Sequence, residues 1–303
     1  MPSAGRRMHP DEVDTDVALV GRLLAAQFPQ WAGLPLAPVA SAGTDNAIYR
    51  LGDDLVVRLP RIHWAAGQAA KEAAWLPRLG PRLPLAVPEP LAIGRPGAGY
   101  PWPWGVYRWL PGQQVTLAAL SDPCAAAAEL ARFLLALQRL DPTDGPDARA
   151  HGLRGAPLAS RDASVRAAIA ALDGLIDTDA ATAVWSEALR APEWDRAPVW
   201  FHGDFLPGNV LVSDGRPSAV IDFGGLGVGD PACDLMIAWG LLAGESRAAF
   251  RAALAVDDAT WARGRGHALA QAVIFIPYYL ETNPAGVAMA RRALAEVLAE
   301  PVE

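Results

Sequence analysis

The chain has 303 residues, of which 52% are hydrophobic and 19% are charged, a composition typical of a globular protein and not of a disordered one. Its formal net charge of −7 disfavours nucleic acid as a partner. The apolar stretch 268–280 is interrupted by Gln271 and Pro277 and is too short to span a membrane. The two cysteines make no disulfide framework, and no apolar segment follows the first arginines, so we expect a cytoplasmic protein.

The first 110 residues combine several strand patterns with helix patterns. Asp16 is a good N-cap for a first helix, which Pro29 ends. Gly52-Asp53 turns one strand into the next, and Pro60 ends the strand because it has no N–H to donate. The predicted elements are a helix to about residue 28, strands at 36–41, 47–51 and 54–59, a helix at 64–79, and strands near 91 and at 104–110.

The second part of the chain is mostly helical around one hairpin. Pro111-Gly112 closes the first section, so the connection between two lobes, 1–110 and 111–303, is predicted at 108–112. Asp122-Pro123 begins a helix, with proline in the first turn. The Pro-, Gly- and Asp-rich segment 141–160 is predicted to be a surface loop. Further helices are predicted at 161–189, at 230–243 and from about 259, which gives an α+β protein.

Three polar side chains, Asp204, Asn209 and Asp222, lie on segments that predict strand, loop and strand. The pair Asp214-Gly215 separates two apolar runs between Asn209 and Asp222. Asp-Gly in this setting is a strong hairpin signal, because both central residues of the favoured turn need positive φ. A hairpin brings Asn209 and Asp222 side by side. Such oxygen ligands suit Mg²⁺ carrying nucleotide phosphates, and the remaining carboxylate is free to accept a hydroxyl proton.

The chain resembles the aminoglycoside phosphotransferase family in three motifs. They are His202-Gly203-Asp204 with Asn209 five residues after the aspartate, Asp222-Phe-Gly-Gly, and Gly229-Asp-Pro-Ala-Cys-Asp-Leu235. Glycine stands at 203 where protein kinases have arginine. The resemblance covers the chain from residue 41 to the terminal helices. His202 is predicted to brace the loop by hydrogen bonds and not to act as a base.

The resemblance implies a bilobal, protein-kinase-like fold. Its N-terminal lobe would have an antiparallel sheet with one inserted helix and would bind the nucleotide, and its mainly helical C-terminal lobe would be catalytic and bind the acceptor. Asp204 would be the catalytic base, and Asn209 and Asp222 would hold Mg²⁺, with ATP or GTP as the phosphate donor. Asp230 and Asp234 of the third motif can be explained without a role in phosphoryl transfer. Asp230 is predicted to be a helix N-cap, and Asp234 a charge in the first turn, near the positive end of the helix dipole.

Arg58 is the candidate phosphate ligand of the first lobe. In kinase-like folds the equivalent strand carries a lysine that holds the phosphates and pairs with a helix glutamate. Glu72 fits that partner, because it lies on the apolar face of the 64–79 helix, where a carboxylate needs a counter-charge. Arginine departs from the familiar pattern but still binds phosphate bidentately. The chain has a single lysine, Lys71. A general preference of this chain for arginine over lysine is therefore the alternative explanation of arginine at position 58.

Two further segments resemble nucleotide-binding parts of the family. Ser41, Gly43 and Thr44 lie in a loop that would cover the nucleotide, although a simple hairpin turn explains the glycine equally well. Arg108 and Trp109 lie in the predicted hinge, where backbone groups would bind the nucleobase edge.

The acceptor class is left open by the sequence. The first 110 residues have 11 basic and 9 acidic residues, and the remainder has 15 and 24. An acidic second lobe would attract a cationic acceptor, but ordinary solubility charge explains it equally well. An aminoglycoside antibiotic is the first expectation, and a macrolide or a housekeeping alcohol such as choline, homoserine or a sugar is the alternative. A pseudokinase that binds nucleotide without turnover is the alternative from another class.

Overall fold

The structure is a computed structural model that describes residues 7–39 and 43–301. The chain forms two compact units that divide between Pro111 and Gly112, except that Leu83–Leu85 belongs with the second unit. None of the helices in the described ranges is both long and apolar enough to span a membrane.

The first unit combines one antiparallel sheet with two α-helices. Its elements are α1 (Val17–Gln27), β1 (Leu36–Pro38), β2 (Asn46–Leu51), β3 (Leu55–Pro60), α2 (Gln68–Leu79), β4 (Pro90–Gly94) and β5 (Trp104–Arg108). The strand order is β1-β2-β3-β5-β4, and all neighbouring strands are antiparallel. The side chain of Asp16 caps α1 by accepting the N–H of Leu19 at 2.6 Å. The helix α2 lies between β3 and β4 in the chain, as predicted.

The core of the first unit lies between α1 and the sheet. Val20, Leu23 and Leu24 of α1 are buried in one cluster with Val57 of β3 and Trp104 of β5. The spacing of these three residues on α1 places them on one side of the helix, which is the face that an amphipathic helix buries. This packing fixes β3 and β5, the two strands that carry Arg58 and Tyr107.

The second unit is mainly helical. Its elements are β6 (Gln113–Gln114), α3 (Pro123–Gln138), α4 (Ala148–His151), α5 (Asp162–Ala171), α6 (Thr178–Arg190), β7 (Val199–Phe201), β8 (Val210–Ser213), β9 (Arg216–Val220), β10 (Gly227–Gly229), α7 (Ile237–Gly240), α8 (Gly244–Leu254), α9 (Asp258–Tyr279) and α10 (Pro284–Ala299). β6, β8 and β9 form one small sheet, and β7 pairs with β10. The predicted α+β class is confirmed by this division between a sheet-based and a helical unit.

The segment 141–160 differs from the predicted surface loop. It contains α4, and Ala148 and Ala156 are buried in a cluster with Phe201. The residue before Ala156 is Gly155, where a Cβ would lie 2.2 Å from the Phe201 ring. Composition alone did not indicate that small residues allow this segment to pack against β7, the strand that ends at Phe201.

The segment 230–243 is also less regular than predicted. Asp230 is the predicted N-cap, since its side chain accepts the N–H of Ala232 at 2.9 Å. The residues that follow form a 3-10 helix, Pro231–Met236, and the α-helix α7 covers only Ile237–Gly240. This tight segment is almost wholly buried.

Candidate active site

The loop after β7 has a conformation that requires glycine at 203. Gly203 has a φ of +81°, in the left-handed region that side chains rarely adopt. A Cβ at this position would lie 2.3 Å from the carbonyl oxygen of Gly225. The loop thus passes directly against the backbone that follows Asp222, which explains the glycine between His202 and Asp204.

Asp234 holds this loop from behind. Its carboxylate is fully buried and accepts the N–H groups of His202 and Gly203, each at 2.7 Å. Burial raises the pKa of Asp234 to about 7, although the two N–H donors act in the opposite direction. The sequence-based interpretation of Asp234 as a helix-end charge was incomplete, because the residues it binds are more than 30 positions away. Its role is to position the loop.

His202 braces the loop by hydrogen bonds, as predicted. Its Nδ1 accepts the N–H of Asp204 at 3.1 Å, so Nε2 carries the hydrogen and donates to the carbonyl of Ile221 at 3.1 Å. Burial lowers the pKa of His202, so the ring stays neutral. A neutral ring with both nitrogens occupied is a structural link between the loop and the strand end near Asp222.

The carboxylate of Asp204 is directly linked to Asn209. The amide nitrogen of Asn209 donates to the carboxylate of Asp204 at 2.8 Å and to its backbone carbonyl at 2.9 Å. Because the nitrogen is used in this way, the amide oxygen is the atom of Asn209 that can bind a cation. The side chain of Asp204 is 28% exposed, which leaves it accessible to a ligand.

The predicted hairpin brings Asp222 to Asn209. Asp214 and Gly215 have φ of +50° and +75°, and β8 and β9 pair antiparallel on either side of them. The N–H of Ile221 donates to the carbonyl of Asn209 at 2.8 Å, just beyond the paired strands. The side-by-side placement of Asn209 and Asp222 is therefore confirmed.

The donor chemistry of Asn209 and Asp222 fits Mg²⁺. Their side chains offer an amide oxygen and a carboxylate, which are hard ligands, and Mg²⁺ takes one or two carboxylates together with water and phosphate oxygens. No cluster of three or more His, Cys, Asp or Glu with metal-binding placement occurs among the described residues. Asp222 also has a φ of +64°, a conformation that is costly for a residue with a side chain.

Arg154 and Gln271 complete the surroundings of Asp204, and the sequence analysis did not identify either of them. The Nη1 of Arg154 donates to the carboxylate of Asp204 and, at 2.6 Å, to the carbonyl of Gly203. Its Nη2 donates to the side-chain oxygen of Gln271 at 2.8 Å. Arg154 comes from the 141–160 segment and Gln271 from α9, and neither has a local sequence signal that would have pointed to the site.

In the first unit, Arg58 and Glu72 form the predicted ion pair. The Nη1 of Arg58 lies 2.9 and 3.0 Å from the two carboxylate oxygens of Glu72. Tyr107 adds a hydrogen bond from its hydroxyl at 2.6 Å. Gly105 stands opposite Arg58 in the sheet, and a Cβ there would lie 2.3 Å from the Tyr107 ring. The glycine therefore gives Tyr107 the space to reach Glu72, which is fully buried.

The other predicted nucleotide-binding residues are less clearly defined. Ser41 lies outside the described residues, and Gly43 is in an irregular segment. The hydroxyl of Thr44 donates to Asp45 at 3.2 Å. In the hinge segment, the N–H groups of Arg108 and Trp109 donate to carbonyls inside the first unit, and the Arg108 side chain pairs with Glu89 at 2.9 Å. Their nucleotide contacts stay predictions.

Comparison with known proteins decides the family. A model of the phosphotransferase enzyme family matches residues 37–267, which is most of the chain. The chain belongs to this family. The predicted enzyme class, a phosphotransferase, is confirmed. No curated protein matches the chain by sequence.

The fold of this phosphotransferase-family chain is similar to that of several solved enzymes. The GDP complex of wild-type aminoglycoside 2'-phosphotransferase-IIIa has 20% identity and a TM-score of 0.75, covering 94% of this chain and 99% of that one. The GDP and kanamycin complex of APH(2")-IIia has 22% identity and a TM-score of 0.74, covering 92% and 98%. Macrolide 2'-phosphotransferase MphH from Brachybacterium faecium has 25% identity and a TM-score of 0.58, covering 95% and 99%. These similarities confirm the kinase-like fold.

Proposed function

We propose that this protein transfers the γ-phosphoryl group of ATP or GTP, bound with Mg²⁺, to a hydroxyl group of a small molecule. The observation that carries the proposal is the hydrogen-bonded pair Asp204–Asn209, which lies beside Asp222. Asp234 holds the loop before Asp204 in place. This set contains a partly exposed carboxylate for a hydroxyl proton and two oxygen ligands for a cation. The predicted cytoplasmic location is kept as part of the proposal.

Asp204 would accept the proton of the attacking hydroxyl. As the hydroxyl oxygen bonds to the γ-phosphorus and the bond to the β-phosphate oxygen breaks, the proton passes to the Asp204 carboxylate. Two side chains, Arg154 and Asn209, already donate to this carboxylate. A carboxylate has about four lone-pair sites, so a substrate hydroxyl can be the third donor without displacing either. These donors fix the carboxylate, and positioning is the main protein contribution to phosphoryl transfer.

Asn209 and Asp222 would hold the metal ion. When bound, Mg²⁺ would neutralise charge on the phosphate oxygens. The amide nitrogen of Asn209 would stay hydrogen-bonded to Asp204 while its amide oxygen binds the cation. This one side chain would therefore connect the proton acceptor to the cation site. His202 links the same loop to the end of β9 through the Ile221 carbonyl.

Arg58, held by Glu72 and Tyr107, would bind the nucleotide phosphates. A guanidinium keeps its charge under all physiological conditions and forms strong hydrogen bonds to phosphate. The solved neighbours in complex with GDP or ADP support a nucleotide donor. Ser41, Gly43 and Thr44 would cover the nucleotide, and Arg108 and Trp109 would lie next to its nucleobase.

The acceptors to test first are hydroxyl-bearing antibiotics. Kanamycin is present in one solved neighbour, and another neighbour is a macrolide phosphotransferase. An aminoglycoside is therefore the first acceptor in the proposal and a macrolide the second, followed by simple alcohols such as choline, homoserine or a sugar.

A nucleotide-binding protein without turnover is the second candidate function. The observation that favours it is arginine at position 58, where kinase-like proteins carry lysine. The complete set of Asp204, Asn209 and Asp222 favours the enzyme, because this is the group that turnover requires.

The proposal is tested by measuring ATP and GTP consumption by the purified protein across a panel of cationic, neutral and anionic hydroxyl compounds. We expect Mg²⁺-dependent nucleotide binding and at least one acceptor that gains a phosphate by mass spectrometry. Nucleotide binding without any phosphorylated acceptor would favour the second candidate. Absence of nucleotide binding would contradict both candidates, and nucleotide binding that does not depend on Mg²⁺ would contradict the proposed cation site.

A further inference from the structure

Arg161 has a partly buried guanidinium group near the charge of a second arginine, Arg154. It ends the 3-10 turn Leu158–Arg161, just before α5. Its Nη1 is buried and has no hydrogen-bond partner among the described residues. The pKa of Arg161 is lowered to about 10, chiefly by burial and then by the neighbouring charge of Arg154. A partly buried cation beside a second cation is stabilised by an anionic partner.

Cys233 does not supply that anion. It acts in the opposite direction to burial and Arg154 on the pKa of Arg161. Burial raises the pKa of the Cys233 thiol well above its usual value, so the sulfur stays protonated and neutral. Arg161 therefore keeps its unbalanced positive charge.

His267 is a second buried group without a partner. It lies on α9 with 1% of its surface exposed, and neither ring nitrogen has a hydrogen-bond partner within the described ranges. Buried polar atoms in native proteins are nearly always hydrogen-bonded. Burial, followed by the charges of Arg161 and Arg154, lowers its pKa to about 3. The ring is thus neutral and can donate one hydrogen bond.

His267 and Arg161 lie near two side chains, Gln271 and Arg154, that connect to the carboxylate of Asp204. Gln271 lies one helical turn after His267 on α9 and accepts from Arg154, whose other nitrogen donates to Asp204. The 3-10 turn that ends at Arg161 packs on α9 beside His267, since a Cβ at Gly266 would lie 3.3 Å from Leu158. Arg154 and Arg161 are both partly exposed. We call Arg154, Arg161, His267 and Gln271 the Arg161 group.

We infer that the Arg161 group binds an oxyanion of the acceptor, a carboxylate or a phosphate, and holds the hydroxyl to be phosphorylated against Asp204. The inference rests on the proposed function. Arg161 supplies the positive charge that binds the oxyanion, and Gln271 positions Arg154 through its side-chain oxygen. Among otherwise similar hydroxyl compounds, one that carries an oxyanion is therefore favoured over its neutral analogue.

The test compares acceptors that differ only in charge. The carboxylate arm pairs glycerate with glyceramide and gluconate with gluconamide, and the phosphate arm pairs glycerol phosphate with glycerol. The expected result is a preference of about tenfold or more in kcat/KM for the anion in one arm, the size expected for a hydrogen bond to a charged group. The arm that shows the preference identifies the oxyanion. Equal kcat/KM for the anion and its neutral partner in both arms would overturn the inference even if other hydroxyl compounds are phosphorylated.

A variant separates Arg161 from general electrostatics. Arg161→Gln should raise KM for the anion and leave kcat and KM for the neutral partner nearly unchanged. Arg161→Lys should restore part of the preference. The control Arg166→Gln removes an equal charge from an exposed arginine one turn further along α5 and should keep the preference. Loss of activity on both members of a pair to the same extent would assign Arg161 a structural role and contradict the inference.

The two proposals fail in different ways. If no compound of any charge is phosphorylated, the proposed function fails. Binding of the same pairs is then measured by ligand-observed NMR in wild type and Arg161→Gln. Binding of the anion that depends on Arg161 would support the oxyanion site without catalysis, and equal binding of both members would overturn it. Should Arg161→Gln not fold, the comparison of the pairs in wild type and Arg161→Lys decides.

Discussion

Each unit contains an arginine–carboxylate pair that includes at least one predicted site residue, and the two pairs have different surroundings. In the first unit, Glu72 is fully buried and Arg58 is 12% exposed. In the second unit, Arg154 and Asp204 are each 28% exposed. Removing one partner of a buried pair leaves an uncompensated charge, whereas a partly exposed carboxylate can exchange partners with water or a ligand. The first pair is suited to hold a position, and the second is suited to take part in a reaction.

The largest effect is expected at the exposed pair. Asp204→Asn should lower kcat by about 10²–10⁴-fold, because general-base assistance contributes that much. Nucleotide affinity should change little. Thermal stability should fall modestly, because the amide oxygen can still accept from Arg154 but the amide nitrogen cannot accept from Asn209. Steady-state kinetics and nucleotide titration measure the two properties separately. Asp195→Asn, at an exposed position of the same unit, is the control, and an unchanged kcat in Asp204→Asn would remove Asp204 from the mechanism.

The next effect tests the buried pair. Arg58→Ala should lower the free energy of unfolding by about 3–5 kcal/mol, because Glu72 loses the Nη1 that contacts both of its oxygens. It should also weaken nucleotide binding if Arg58 holds the phosphates. Arg154→Ala is the comparison variant, with an expected loss of about 1 kcal/mol or less. Chemical denaturation of both variants measures their free energies of unfolding. Equal losses would contradict the distinction between the buried and the partly exposed pair.

Arg58→Lys refines this prediction. A single nitrogen of Arg58 contacts both oxygens of Glu72, and a lysine ammonium can take that place with the same charge. We therefore expect much of the stability and activity to be retained. If Arg58→Lys is as inactive as Arg58→Ala, the planar guanidinium is required, and the phosphate contact uses more than one of its nitrogens.

A smaller effect is expected at the cation site. Asp222→Asn should raise the Mg²⁺ concentration needed for nucleotide binding by about tenfold or more, because it removes a charged ligand. Asparagine tolerates the positive φ of this position and can still accept from Gly224, so the backbone should be kept. Asp214→Asn, in the turn of the same hairpin, is the matched control. Asn209→Ala should show a smaller increase, and a nucleotide affinity that does not depend on Mg²⁺ in wild type would contradict the site.

The last prediction concerns pH and extends the comparison to His267, a buried group with no hydrogen-bond partner among the described residues. The pKa of His267 is lowered from 6.5 to about 3. As the pH falls below about 6.5, the unfolded chain binds a proton that the folded chain does not, so stability is lost by about 1.4 kcal/mol per pH unit down to a pH of about 3. Relative to His267→Gln, wild type should lose stability over this range in denaturation experiments. Parallel curves for the two proteins would show that His267 is protonated in the folded state.

The parts of the site that the sequence predicted are joined by short-range geometry. Asp214-Gly215 determines the hairpin, and the hairpin places Asp222 beside Asn209. Periodicity on α2 placed Glu72 on a buried face, from which Arg58 followed as its partner. A local rule of turn geometry was enough for the hairpin, whereas the pairing of Glu72 with Arg58 also used the resemblance to kinase-like folds.

The unpredicted parts depend on contacts between distant segments. Arg154 is 50 residues from Asp204 and 117 residues from Gln271, and Asp234 lies more than 30 residues from the N–H groups that it binds. No local pattern specifies such contacts, since they depend on how 141–160, α9 and the Pro231–Met236 turn pack together. The composition of 141–160 even suggested a solvent-exposed loop.

The close approach of Gly203 and Gly225 has a consequence for how this sequence can change. The contact consists of main-chain atoms on both sides: a Cβ at 203 would lie 2.3 Å from the Gly225 carbonyl oxygen, and a Cβ at 225 would lie 3.0 Å from the Gly203 carbonyl carbon. When two side chains collide, a smaller residue at one position can compensate for a larger one at the other. Here neither residue has a side chain to reduce, so a substitution at one glycine has no compensating substitution at the other. The two positions should therefore stay fixed together during evolution, while the residues around them vary.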